Sequence, residues 1–185
     1  MKQEQSPHES PRDLLIHILQ LAYSGERAAG YAYRGHWRCV SDAAERARIR
    51  TIEEEEWHHR NLVGGMLRSM GARHSTTREV RAAIIGRVLQ ALCYVSGWLA
   101  PMYGAGKLER RNIVEYETAA RHARNCGRED FIDCLLTMAE VEWEHEQYFR
   151  SKVLCHSLGR LLPIWPAPPP KENIRAFSPR EFTGR

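Results

Sequence analysis

The chain has 185 residues, of which 43% are hydrophobic and 27% charged, and its formal net charge is +4. This length suits one domain with a sizeable core, and the mild, scattered charge argues against a nucleic-acid partner. Five cysteines without a Cys-x-x-Cys pair argue against a disulfide framework or a zinc knuckle and suit a reducing compartment. Residues 1–10 are polar, so we expect a disordered N-terminus there and no signal peptide.

Helix signals begin at Ser10, where a serine cap is followed by proline and then by an acid at the third position. Apolar residues recur at helical spacing from there to Tyr33. A second cap, Asp42 with Glu45, opens a second helix that Gly71 ends. Its stripe steps by three and four residues throughout, and contains Ile49, Ile52, Glu56, His59, Val63, Met66 and Met70.

Three further helices are predicted beyond Gly71. Thr76 and Glu79 would cap a long crossover helix over about 77–100, which Pro101 stops. A fourth helix is expected from about Lys107 to Asn125 and a fifth from Glu129 to about Cys155. No strand pattern is visible, so the fold class is all-α, with a bundle over 11–156. The tail, residues 157–185, is proline-rich and basic, and we expect it to be extended or disordered.

Acidic and imidazole side chains interrupt the apolar stripes of the second and fifth helices. Burying a carboxylate costs several kcal/mol unless it is paired or bound to a cation. Glu56-x-x-His59 and Glu142-x-x-His145 occupy matching places in these stripes. A third pair, Glu55 with His58, lies about 100° round the helix, and we assign it to the surface.

The same pattern suggests a repeated helical hairpin. "GERAAGYA" contains Glu26 and "YETAARHA" contains Glu117, so each hairpin would pair one glutamate with one Glu-x-x-His. Counting residues outward from the turn of each hairpin places its two glutamates, Glu26 with Glu56 and Glu117 with Glu142, at the same height along the bundle. Glu115 is the rival of Glu117, and the repeat favours Glu117.

Four glutamates and two histidines in one layer predict a pair of divalent cations. Four packed carboxylates would repel one another, and two cations cancel their charge. Residues i and i+3 share a helix face, and two bridging carboxylates can hold two metals about 3.5–4 Å apart. Oxygen and nitrogen ligands without thiolate suit iron, with manganese as the alternative. A glutamate from two helices and Glu-x-x-His from two others is the general di-iron carboxylate pattern. The predicted ligands, which also form the predicted catalytic site, are Glu26, Glu56, His59, Glu117, Glu142 and His145.

With these residues in view, the chain resembles the ferritin-like superfamily and, within it, the demethoxyubiquinone hydroxylase family. "SGERAAGYAYRGH" is similar to that family's first metal helix, and "EVEWEHE" is similar to its last Glu-His segment. The resemblance covers 14–155, although the stretch between the second and fourth helices is longer and more polar than in the family. It implies a ferritin-like four-helix bundle of two hairpins joined by a helical crossover.

The resemblance also implies a function in ubiquinone biosynthesis, with two iron ions activating O2 to hydroxylate a quinone-like ring. The electron donor is unknown. Two alternatives stay open: a ferroxidase or peroxide-scavenging protein of the ferritin or rubrerythrin type, and a metal-stabilised scaffold without catalysis. We expect a cytoplasmic location, with peripheral contact with the inner membrane and a homodimer left open. Residues 82–103 are the most hydrophobic segment, which suits either a covered crossover or an interfacial helix. Tyr33 is expected in the core.

Overall fold

A computed structural model describes residues 10–176. Over this range the chain is helical and contains no strand, which confirms the all-α class. The helices are α1 (Pro11–Cys39), α2 (Ala43–Ser69), α3 (Thr76–Cys93), α4 (Leu99–Asn125), α5 (Ile132–Cys155) and the short α6 (Glu172–Arg175); two 3-10 turns cover Glu129–Phe131 and Gly159–Leu161.

The first two helices begin at the caps that the sequence predicts. The Ser10 hydroxyl accepts a hydrogen bond from the Asp13 amide at 3.2 Å, and the Asp42 carboxylate accepts one from the Glu45 amide at 2.8 Å. These side chains satisfy backbone donors that have no partner within the helix. We predict a disordered N-terminus over residues 1–10, and residues 1–9 of it lie outside the described residues.

The crossover differs from the prediction at both of its ends. Ser75, not Thr76, caps α3, and α3 ends at Cys93 instead of about residue 100. The chain turns at Gly97, which has a positive φ of 74°, and α4 then begins at Leu99 instead of about Lys107. Pro101 therefore lies in the first turn of α4, where the missing N–H costs no helical hydrogen bond. The predicted helix therefore lacked the first eight residues of α4, 99–106, although it already contained Glu109.

Two core clusters divide the bundle along its length, and both receive side chains from α1, α2, α4 and α5. The first cluster contains Leu19 of α1, Val63 of α2 and Leu135 of α5. The second contains Tyr33 of α1, Ile52 of α2 and Phe149 of α5. Along α1 and α5 the chain passes from the first cluster to the second, and along α2 and α4 it passes back. Each of these four helices crosses a polar layer between the two clusters.

The proline-rich tail packs on the bundle as far as it is described. Residues 162–170 carry no helix, in line with the extended alternative. Trp165 is buried, and its indole donates a hydrogen bond to Glu146 at 2.7 Å. Arg175 forms ion pairs with Asp133 and Glu140 of α5. Residues 157–176 thus lie against the bundle, and residues 177–185 lie outside the described range.

The outer face of α3 is apolar, because Val80, Ile84, Val88 and Leu92 repeat every fourth residue and are 48–59% exposed. Even so, none of the helices within 10–176 combines the length and the apolar character needed to cross a membrane.

Candidate metal centre

Two groups of potential ligands meet in the polar layer between the core clusters. The first group comprises Glu26, Glu56, His59 and Glu142, and the second comprises Glu56, Glu109, Glu142 and His145. Within each group one ligand atom per residue lies within 4.8 Å of the others, and every member is buried. Each group therefore offers three carboxylates and one imidazole, and Glu56 and Glu142 belong to both.

Five of the six predicted ligands are brought together, and Glu117 is not. Glu117 is only half-buried, belongs to neither group and lies near Arg121 and Arg110. Glu109 takes the expected place, eight residues or about 12 Å earlier along α4. Glu115, the rival considered from the sequence, is also outside both groups.

Two features of the second hairpin explain this correction. The 3-10 turn Glu129–Phe131 runs directly into α5 and adds about 6 Å to its height at about 2 Å per residue. The residue level with Glu142 on α4 is therefore further from the turn than Glu117. The inward stripe of α4 runs through Met102, Ala105, Glu109, Ile113 and Tyr116, so Glu109 interrupts it as Glu26 interrupts the stripe of α1.

A second repeat was visible in the sequence and indicates the same residue. Glu26-Arg27 is followed by Tyr33, and Glu109-Arg110 is followed by Tyr116 at the same distance. In the structure the two tyrosines exchange partners. The Tyr33 hydroxyl donates a hydrogen bond to Glu109, and the Tyr116 hydroxyl donates one to Glu26. Tyr33 thus lies in the core, as expected, and also orients a carboxylate of the site.

Several buried polar atoms of the layer have no hydrogen-bond partner within 10–176. They are Glu26 Oε2, both carboxylate oxygens of Glu56, Glu142 Oε2 and His145 Nδ1. An unpaired buried polar group costs about 1–3 kcal/mol, and more when it is charged. Five such atoms in one layer fit a site built to bind a cation.

Other buried acids of the bundle are fully paired, which makes the contrast informative. Glu53 accepts hydrogen bonds from Arg34 at 2.8 Å and from the Trp37 indole at 2.7 Å. Glu146 accepts from Arg150 and from Trp165, both at 2.7 Å. Burial of an acid alone thus does not account for the orphaned atoms of the polar layer.

Burial and the close packing of the carboxylates shift the pKa values of the polar layer. Burial, together with the charges of Glu142 and Glu26, raises the pKa of Glu56 well above its usual value. Burial and the charge of Glu142 likewise raise the pKa of Glu109. For Glu142 itself, burial would raise the pKa, but the neighbouring imidazoles of His145 and His59 outweigh burial, so its pKa is lowered. The raised pKa values of Glu56 and Glu109 favour the protonated forms of these carboxyl groups.

Both histidines face the shared carboxylates. His59 Nδ1 lies 3.0 Å from Glu142 Oε1. His145 Nδ1 lies 3.4 Å from Glu56 Oε1 and 3.5 Å from Glu142 Oε2. Burial would lower the pKa of His145, but the nearby carboxylates of Glu142 and Glu55 raise it to about 9. Each imidazole can offer Nδ1 to a cation once it is deprotonated.

Glu55 contacts the site, contrary to the surface assignment. Its carboxylate is half-buried and accepts a hydrogen bond from His145 Nε2 at 2.7 Å and one from Arg48 at 3.3 Å. A carboxylate on the far nitrogen fixes the imidazole's orientation and increases its basicity. His58 is exposed, as predicted. Helical periodicity alone could not identify Glu55 as part of the site, because its partner His145 lies on α5.

Two cavities reach the layer from the groove that α1, α3 and α4 form. The arginine cavity, of about 380 Å³, has Arg78, Arg81 and Arg111 in its lining and reaches Glu26. The apolar cavity, of about 370 Å³, reaches Tyr33 and has Leu89, Leu92 and Pro101 in its lining. A small molecule could therefore approach both ends of the polar layer.

Sequence and structure comparisons with known proteins found no match to this chain. No family model matches the chain, and neither a curated protein nor a solved structure matches it.

Proposed function

We propose that this chain binds two iron ions in the polar layer and uses O2 to hydroxylate a quinone-like substrate, as a ferritin-like di-iron enzyme similar to the demethoxyubiquinone hydroxylases. The observation that carries the proposal is that two groups of four ligands share Glu56 and Glu142. Shared carboxylates are how two-metal sites hold their ions close together. Manganese fits the same oxygen and nitrogen donors.

The donors would divide evenly between the two ions. Glu26 and His59 would hold one ion, Glu109 and His145 would hold the other, and Glu56 and Glu142, which belong to both groups, would serve both ions. Two divalent cations would cancel the four carboxylate charges, which removes the need for the protons that the raised pKa values of Glu26, Glu56 and Glu109 imply. When bound, reduced iron supplies the electrons that activate O2.

The net reaction would break one C–H bond of the substrate and form one C–O bond. One oxygen atom of O2 enters the product, and the other leaves as water with two protons and two electrons. A nicotinamide-type donor outside the chain would supply these electrons. The chain itself would orient the carboxylates of Glu109 and Glu26 through hydrogen bonds from Tyr33 and Tyr116. The apolar core clusters on both sides of the layer would exclude bulk water.

The cavities favour this function over the two alternatives. Arginines line the cavity that reaches Glu26, and their charge disfavours Fe²⁺ arriving there as a substrate. A ferroxidase is therefore our second candidate. A scaffold needs no cavity that reaches its metal layer, so it ranks third.

The apolar outer face of α3 supports the expectation of peripheral membrane contact. Around that stripe α3 exposes Arg81 and Arg87 and no acid, a composition typical of interfacial helices on anionic lipid. Flotation with vesicles containing anionic lipid tests this, with Ile84→Glu as the variant. Equal flotation of the variant would contradict the contact.

The central experiment is metal analysis followed by oxygen uptake. Protein reconstituted with Fe²⁺ under argon should hold about two iron ions per chain, and O2 uptake with NADH, a reductase and a short-chain quinone should exceed that with peroxide or free Fe²⁺. Fewer than one ion per chain would refute the centre. Faster turnover with Fe²⁺ would favour the ferroxidase.

A further inference from the structure

The arginine cavity carries positive charge that the acids of its lining only partly compensate. Arg78 and Arg81 of α3 and Arg111 of α4 are part of its lining. Arg78 and Arg81 form no ion pair with any acid of residues 10–176, and Arg111 acts on Glu115, whose pKa it lowers while burial raises it. Elsewhere on α3 the acid Glu79 is fully paired with Arg27 and Arg60. The cavity lining thus contains three guanidinium groups against two carboxylates, the half-buried Glu115 and Glu26 of the polar layer.

The second cavity of the same groove is almost entirely apolar. Its lining includes Leu89 and Leu92 from α3 and Gly104 and Ala105 from α4. Ala29 and Leu108 line both cavities, so the two spaces lie end to end on either side of this pair. One reaches Glu26 and the other reaches Tyr33, which donates to Glu109.

We propose that this groove binds an amphipathic anion, with its carboxylate or phosphate head among Arg78, Arg81 and Arg111 and its apolar chain in the apolar cavity. Guanidinium groups bind planar or tetrahedral oxyanions through paired hydrogen bonds, and an apolar cavity of this size suits a short chain. The middle of such a molecule would lie at Ala29 and Leu108, between the two ends of the polar layer. The inference rests on the proposed function, which supplies the hydroxylation. It adds that the substrate carries an acidic group, whereas a neutral quinone would occupy only the apolar cavity.

Binding can be measured without catalysis. The full chain, with and without iron, would be titrated by calorimetry with octanoate, octyl phosphate and octanol. Both anions should bind at least about tenfold more tightly than octanol, because a charged hydrogen bond is worth more than a neutral one. The anion that binds more tightly identifies the head group. Equal affinities for the anions and octanol would overturn the inference.

Matched variants locate the two halves of the ligand. Arg81→Gln with Arg111→Gln should reduce octanoate affinity to that of octanol. Arg73→Gln with Arg160→Gln removes the same charge from two exposed residues outside the cavity linings and should leave affinity unchanged. If both double variants lose affinity equally, the attraction comes from overall charge and the inference is wrong.

Two glycines allow each cavity to be filled separately. A Cβ at Gly25, in the arginine cavity, or at Gly104, in the apolar cavity, meets no atom within 4 Å, and both lie in helix interiors where leucine is better tolerated than glycine. Gly25→Leu and Gly104→Leu should each weaken octanoate binding at least about tenfold. Unchanged binding in both would place the ligand elsewhere and refute the inference.

The same titrations separate this inference from the proposed function. Tight octanoate binding without O2 uptake would retain the anion site and reject the hydroxylase. Iron-dependent O2 uptake with equal octanoate and octanol affinities would retain the hydroxylase and reject the anion site.

Discussion

The hydroxyl of Tyr33, on α1, donates a hydrogen bond to the carboxylate of Glu109, on α4. The converse bond joins Tyr116 of α4 to Glu26 of α1. Each tyrosine lies seven residues, or about two turns, after the glutamate of its own helix. The pair of bonds therefore ties the two hairpins together and orients the two carboxylates that belong to only one ligand group each.

Removing either hydroxyl should destabilise the metal-free protein. Tyr33→Phe and Tyr116→Phe each leave a buried carboxyl without its donor, and we expect a loss of about 1–2 kcal/mol in the free energy of unfolding. Urea unfolding followed by circular dichroism measures it. Tyr94→Phe is the control, because Tyr94 is 57% exposed. Losses no larger than that of the control would show that the two bonds contribute little.

Metal stoichiometry distinguishes Glu109 from Glu117. Glu109→Ala removes a donor from the second ligand group, so bound iron should fall from about two ions per chain to one or fewer. Glu117→Ala should retain both ions, because Glu117 belongs to neither group. Metal analysis after gel filtration provides the count. Equal losses would restore the register that the hairpin repeat alone suggested.

Glu55 should affect metal affinity without changing stoichiometry. Its bond to His145 Nε2, at 2.7 Å, orients the ring, and loss of such a partner typically weakens metal binding by about 10–100-fold. Glu55→Ala should therefore release iron to a competing chelator at lower chelator concentration. Glu54→Ala, at an exposed residue paired with Arg50, should match the parent protein. An unchanged chelator profile for Glu55→Ala would remove Glu55 from the site.

The metal-free protein should lose stability as the pH rises. Glu26, Glu56 and Glu109 have raised pKa values in the fold, and that of His145 is raised to about 9. A raised pKa stabilises the fold below the group's unfolded value, and this contribution is lost as the pH rises through the folded value. The lowered pKa of Glu142 has the opposite sign, so stability also falls in acid, below its usual value of 4.5.

The melting temperature of the metal-free protein should therefore be highest near pH 5 and fall towards pH 9. With iron bound, the decline should be smaller, because cations replace the protons. Glu56→Gln, which mimics the protonated carboxyl, should reduce the decline in the metal-free protein. A metal-free melting temperature that rises from pH 5 to pH 9 would contradict the described protonation of the layer.

Two glycines of α4 test the packing of the tail. A Cβ at Gly106 would collide with the indole ring of Trp165, so Gly106→Ala should cost about 1–3 kcal/mol through overpacking. Gly104→Ala is the control, since a Cβ there meets no atom within 4 Å, and it should stabilise the helix by up to about 1 kcal/mol. Chemical denaturation of both variants gives the comparison. Equal stabilities would mean that Trp165 does not pack on α4.

The sequence by itself determined the helical class, the capped starts of α1 and α2 and the two Glu-x-x-His pairs. These features depend on neighbours within a few residues, because caps and apolar stripes follow from the 3.6-residue turn. Five of the six predicted ligands meet in the polar layer for the same reason: each breaks an apolar stripe that had to face inward.

Tertiary structure alone decided how the helices are set against one another. The relative height of α4 and α5 depends on the 3-10 turn Glu129–Phe131, and the start of α4 depends on the bend at Gly97. The turn between α4 and α5 makes Glu109, not Glu117, level with Glu142. Glu55 and the docked tail are of the same kind. The partner of Glu55 lies 90 residues away along the chain, and the hydrogen-bond partners of the tail lie up to 60 residues away. Local spacing determines which face of its helix a residue occupies. Its height relative to a residue on another helix depends on the length and geometry of every turn between the two residues.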